Sequence, residues 1–325
     1  MTYLGGPVIT LKQITPNELF FITNILAGGG KARKRWDTFS EQLTGRNYRI
    51  NCRLTEHRGH AVELARQAVA EGVKRIYVFG GDGTLNEALN GVIENDVLLD
   101  PDIELAFLSA GSSCDVEKMF PEKLDLIDRI ESERSYLVDV CRVACCDDWG
   151  NPIVRYFLVN SSIGVISQSI DYFNQKKPFM SFLKRLNIDV AAIYAGLINI
   201  FQFDNFSADI TIDQTEHLSR SLKNLTVFKC SYFGGGMNYG VESGYDDGKL
   251  HVALINKMGR LKTLSYIPSL YSGSVFKKAN AEYHLGYRVT LSGENISVVV
   301  ETDGEIIGYP PCEYSLLPKF IKIII

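Results

Sequence analysis

The stretch Gly80-Gly81-Asp82-Gly83-Thr84-Leu85-Asn86-Glu87 constrains this chain more than any other. It follows the apolar run Arg75–Phe79 at once, and Leu85, Leu89 and Val92 then recur at helical spacing. A strand, a glycine turn and a helix in that order gather backbone N–H groups and the positive end of a helix around one point. Such a point suits a phosphate group. Asp82 lies inside the turn, where a carboxylate can meet magnesium or a hydroxyl.

The pattern around this stretch repeats. A leader over residues 1–17 precedes the apolar run Leu19–Thr23, which reads as a buried strand and opens into the glycine loop 24–30. A helix is predicted over Lys31–Leu43, a strand over Arg49–Leu54 and a helix over His60–Glu71. A further strand, Glu104–Leu108, leads into Gly111-Ser112-Ser113. Alternating strands and helices predict a parallel sheet flanked by helices, with ligands at the carboxyl ends of the strands. The glycine loops at 28–30, 80–83 and 111–113 should therefore gather on one edge.

Near Tyr136 the character changes to short strand-like runs: Leu137–Val143, Val154–Asn160, Ser207–Ile212, Asn224–Cys230, Leu250–Ile255, Arg288–Ser292 and Ile296–Glu301. Helices are predicted at Ile166–Asn174, Phe179–Phe201 and Arg260–Tyr271. The reading is an α/β chain: a parallel-sheet nucleotide-binding domain over 17–135, then a β-rich, sandwich-like domain over 136–325. The last segment could return to the first domain, and the active site is expected in the cleft between the two.

Composition narrows the partners. The chain has 34 basic and 38 acidic residues, a net charge of −4, which argues against a nucleic-acid binder relying on a global basic field. Seven cysteines show no pair spacing of the C-x2-C kind and no charged-then-apolar leader opens at Met1, so a reduced, cytoplasmic protein is expected. No run approaches the ~18 apolar residues of a transmembrane helix, so contact with lipid should be peripheral, at the inner face of the membrane. Lys176–Arg185 mixes cations with large apolar groups and could touch an anionic membrane surface or pack on its own domain. Lys31, Arg33, Lys34 and Arg35 could help hold a triphosphate. The five histidines show no ligand spacing, and an exposed strand edge could pair two copies.

The eight-residue string resembles the GGDGTxNE signature of the diacylglycerol-kinase family, which includes bacterial lipid kinases, sphingosine kinases and ceramide kinases. Further motifs follow in family order. Thr55–Ala61 resembles T-x4-GHA, and Gly111-Ser112-Ser113-Cys114-Asp115 resembles GTxND. Asn160–Gly164 is similar to the segment opening the second domain, and Tyr232–Met237 to the GGGM run. Asp246–Leu250 resembles DDG-x-L, and Asp303-Gly304-Glu305 the late DGE. The first loop keeps Asn24 and Gly28 of NPxSG without its proline and serine, and Cys114 stands where the family has asparagine.

The resemblance implies an ATP-dependent, magnesium-requiring kinase that phosphorylates a lipid hydroxyl. ATP would lie on Gly80, Gly81, Asp82, Gly83, Thr84, Leu85, Asn86 and Glu87, with Asn24, Gly28, Thr55, Gly111 and Ser112 nearby. Asp82, Asp115 and Asp139 match carboxylates around nucleotide and catalytic magnesium, and Glu305 matches the general base. Asp247, with the carbonyls of Gly244 and Lys249, matches a structural metal site. A soluble kinase of NAD-kinase type shares the GGDGT loop, and the altered first loop and Cys114 would also suit an inactive lipid- or nucleotide-binding protein.

Overall fold

The structure is a computed structural model that describes residues 18–111, 113–175, 177–186, 188–293 and 297–325. The leader, Ser112 and Lys176 lie outside the described residues.

The first half alternates as the apolar spacing requires: β1 (Glu18–Thr23), α1 (Lys31–Gly45), β2 (Arg49–Leu54), α2 (His60–Ala70), β3 (Arg75–Gly80), α3 (Asp82–Val92), β4 (Glu104–Ser109) and α4 (Leu126–Glu131). Its strands are parallel in the order β2-β1-β3-β4. Phe20, Ile22, Ile76 and Val78 face α2 and α3, whereas Leu19, Phe21, Tyr77 and Phe79 face α1 and α4. Both faces are covered, so these strands read as continuous apolar runs. Gly91 lets α3 press on α2: a Cβ there would stand 2.4 Å from the Val62 carbonyl oxygen.

The second half contributes β5 (Tyr136–Cys146), β6 (Pro152–Phe157), β7 (Asn160–Gly164), α5 (Val165–Asn174), α6 (Pro178–Leu186), α7 (Ile188–Gln202), β8 (Phe206–Ile212), β9 (Glu216–Phe228), β10 (Leu250–Asn256), β11 (Ala281–Gly286), β12 (Arg288–Ser292), β13 (Val300–Thr302) and β14 (Glu305–Ile324). Side chains of β5 to β10 and β12 to β14 close around one apolar interior. Three readings change here. The run Val154–Asn160 breaks at Leu158 and Val159, and Asn160–Gly164 forms a strand of its own. The helix read as Phe179–Phe201 is two helices, and that read as Arg260–Tyr271 is two short turns. The strand read as Ile296–Glu301 begins at Val300, its first residue lying outside the described set.

One long strand joins the halves. β14 pairs antiparallel with β12 and β5, and its end, Lys322–Ile324, lies parallel to Glu104–Ala106 of β4. A single 14-stranded sheet therefore runs through the molecule.

Candidate active site

The three glycine loops meet at the carboxyl edge of the parallel strands. Gly28 has φ +58°, and a Cβ there would lie 2.9 Å from the Ala110 carbonyl oxygen. Gly111 packs so closely on Gly81 that its Cβ would come within 2.7 Å of the Gly81 Cα. Asn24 ties the first loop down: its backbone N–H donates to Phe79 O at 2.8 Å, and its amide to Thr84 Oγ1 at 3.1 Å. Thr55 ends β2 beside them, its N–H on Thr23 O at 3.0 Å. Lys31, Arg33, Lys34 and Arg35 are exposed at the start of α1, directly after the glycine loop.

Asp82 opens α3 and faces Asp115. Its carboxylate accepts the N–H groups of Asp115 at 3.0 Å and Val116 at 3.2 Å. Burial pushes its pKa up to about 6 against those two bonds, and the Asp115 charge adds to the rise. Asp115 is buried, with Lys118 at 2.5 Å and the Gly235 N–H at 3.3 Å. Asp82 and Asp115 offer carboxylate oxygens, the donor type that a hard divalent cation takes. Cys114, between the two, has φ +49° and a thiol pKa raised by burial, so it is no ready thiolate.

Asp303-Gly304 makes the tight turn from β13 to β14, with φ +47° and +88°. Two positive φ values at the centre of a two-residue hairpin are what an Asp-Gly pair supplies. The Asp303 carboxylate accepts the N–H groups of Leu158, Val159 and Asn160, each at 3.0 Å. It also accepts the amide of Asn86 at 2.8 Å. The helix that starts at the GGDG loop is thereby bonded to the turn that presents Glu305.

Glu305 lines a cleft of about 780 Å³ between α2, α3 and the second half, with Arg58, Asn86, Glu87, Arg142 and Tyr156. It is ion-paired with Arg58, whose guanidinium also donates to Ile306 O at 3.3 Å. Burial raises its pKa, opposed by Arg58 and helped by Glu87. Behind the turn, Glu301 is fully buried, and burial pushes its pKa up to about 8.

Several candidate residues stand elsewhere. Leu85 is fully buried in the core under α3, out of reach of a nucleotide. The Asn86 amide is spent on Asp303 and on Tyr156 O at 2.9 Å. Glu87 accepts the N–H groups of Gly59 at 2.8 Å and Ala61 at 3.1 Å, satisfying the open start of α2. Asp139 is fully buried, with its carboxylate taken up by Lys229 at 2.6 Å. The Asp247 site is likewise taken up by the Lys229 ammonium, which also meets the Lys249 carbonyl oxygen. Gly244 turns its N–H, at 3.1 Å, to Asp247. These residues do not fit a metal with Lys229 in place. His57, His60 and Glu63 bring possible ligand atoms within 4.8 Å of one another at the surface, a grouping that their spacing did not announce.

The diacylglycerol kinase catalytic domain matches residues 18–143, and the YegS C-terminal NAD kinase beta sandwich-like domain matches residues 180–325. This chain belongs to the diacylglycerol-kinase family. The candidate lipid kinase YtlR of Bacillus subtilis is 26% identical over 94% of this chain and 98% of its own length. A Mycobacterium tuberculosis protein named diacylglycerol kinase is 24% identical over 97% of each chain. A crystal structure of a diacylglycerol kinase from Bacillus anthracis superposes with a TM-score of 0.65 at 19% identity, over 95% of this chain and 96% of that one. That likeness carries the fold: a kinase catalytic domain followed by a β-sandwich-like domain.

Proposed function

We propose that this member of the family transfers the γ-phosphoryl group of ATP to the hydroxyl of a lipid at a membrane surface. The observation that carries this is the Asn86–Asp303 hydrogen bond, which couples the glycine-loop helix to the turn bearing Glu305. Donor and acceptor halves of a phosphotransfer site are thus held in one frame.

ATP phosphates are assigned to the edge formed by Asn24, Gly28, Gly80–Gly83 and Gly111, flanked by the exposed cations of α1. Asp82 and Asp115 would hold magnesium, which neutralises charge on the transferring phosphoryl group. The acceptor oxygen forms its bond to the γ-phosphorus as the bond to the bridging oxygen breaks. Its proton passes to a Glu305 carboxylate oxygen, and ADP leaves. A raised pKa suits Glu305 to that role, because a base is most useful when it titrates near the working pH.

No described helix is long and apolar enough to cross a membrane. α6 and α7 nevertheless expose Phe179, Phe182, Leu186, Ile193, Leu197 and Phe201. Lys177, Lys184 and Arg185 lie beside them, the arrangement that holds an amphipathic helix at an anionic lipid surface. ADP release by the purified protein with MgATP should therefore rise several-fold when vesicles of a total lipid extract are added. A rate indifferent to vesicles, but stimulated by NAD, would overturn the lipid reading in favour of the NAD-kinase one.

A further inference from the structure

Lys229, just beyond β9, is fully buried, side chain included. Its ammonium carries three hydrogens and meets three oxygens: Asp139 Oδ2 at 2.6 Å, the Lys249 carbonyl at 3.2 Å and Asp247 Oδ1. The rest of the cage is closed as well. Asp139 accepts the N–H groups of Lys319 at 2.7 Å and Gly248 at 2.8 Å. Asp247 accepts those of Gly244 and Lys249, both at 3.1 Å, and lies 2.9 Å from His251 Nε2. His251 Nδ1 is 2.8 Å from the Tyr283 hydroxyl, so a neutral ring can donate from Nε2 and accept at Nδ1. β5, β14, the end of β9 and the 244–249 loop are joined at this one point.

We propose that Lys229 is a built-in cation that occupies the place of a divalent ion, so that this junction is held together without metal. A magnesium ion needs about six oxygens in near-octahedral array at ~2.0–2.1 Å. The oxygens here already face an ammonium with three well-directed donors, and a second cation among them would meet like charge at contact distance beside the fully buried Asp139 and Lys229 side chains. The cage adjoins the candidate active site: the next residue, Cys230, places its thiol 3.4 Å from the Asp115 carbonyl oxygen. Any magnesium requirement in catalysis then belongs to the nucleotide site alone.

Thermal melting of the nucleotide-free protein tests this without reference to activity. The wild-type Tm in millimolar magnesium should match that in EDTA to within about 1 °C. Lys229→Ala leaves the buried Asp139 carboxylate without its cation, facing the partly exposed Asp247, and should lose about 6 °C or more in EDTA. Magnesium or calcium should restore part of that loss by entering the vacated cage. The proposal is overturned if the wild-type Tm climbs several degrees in magnesium and Asp247→Asn removes the climb. It is equally overturned if Lys229→Ala melts with the wild type in EDTA. Should Lys229→Ala not be recovered as folded protein, the wild-type and Asp247→Asn measurements decide alone.

Discussion

Asp82→Asn is expected to lower the transfer rate at least ~10²-fold, in line with removing one preorganised electrostatic group from a transition state. Asp82 faces Asp115 across a 3.0 Å backbone hydrogen bond, and its raised pKa shows that its charge is kept at a cost. Carboxylates perturbed by burial and a charged neighbour cluster at functional sites. The folded pKa exceeds the ordinary value, so the fold binds this proton more tightly than the unfolded chain does. At pH above about 6 the ionised carboxylate therefore subtracts from stability, and the subtraction fades as pH falls through that value. A neutral amide at the same place should accordingly keep the melting temperature within a few degrees of wild type. Loss of activity with the fold intact would be seen by stopped assays beside a melting curve. An unchanged rate in a folded Asp82→Asn would remove Asp82 from the machinery.

Glu305→Gln should retain the KM for ATP and lose about 10²- to 10⁴-fold in kcat, the usual worth of a positioned general base. The pH dependence gives the sharper reading. Burial raises the Glu305 pKa above the ordinary glutamate value, Arg58 pulling the other way. Activity should fall as pH drops through that raised value, because the protonated carboxyl cannot accept the hydroxyl proton. In Glu305→Gln that contribution to the acidic limb should vanish from whatever rate remains. If Glu305→Gln turns over near normally while Asp82→Asn is dead, the base is Asp82.

Much of the architecture was legible because local signals agreed with one another. The apolar runs ending in glycine loops gave β1, β3 and β4, and the turn chemistry of Asp303-Gly304 matches its observed backbone. What stayed hidden was whatever depends on partners far apart in the chain. That the last segment could return to the first domain was open to the sequence, but its partner was not: β14 reaches β4 across some two hundred residues, and no spacing shows that pairing. A motif string also treats its letters alike, whereas a helix does not. Within Asp82–Glu87, the 3.6-residue turn sends Leu85 into the core, Asn86 to Asp303 and Glu87 to the start of α2, leaving Asp82 at the edge. Asp139 and Asp247 are assigned to metal by resemblance to the family's motifs. The cation they meet is Lys229, which no motif singled out.

Incubating the purified protein with γ-labelled ATP, magnesium and a total lipid extract, and then identifying the labelled product by mass, tests the lipid assignment most directly. The expected product is a lipid heavier by one phosphate, absent when Asp82→Asn replaces the wild type. Label appearing only in inorganic phosphate or in phosphorylated NAD, with the lipid fraction unlabelled, would contradict it.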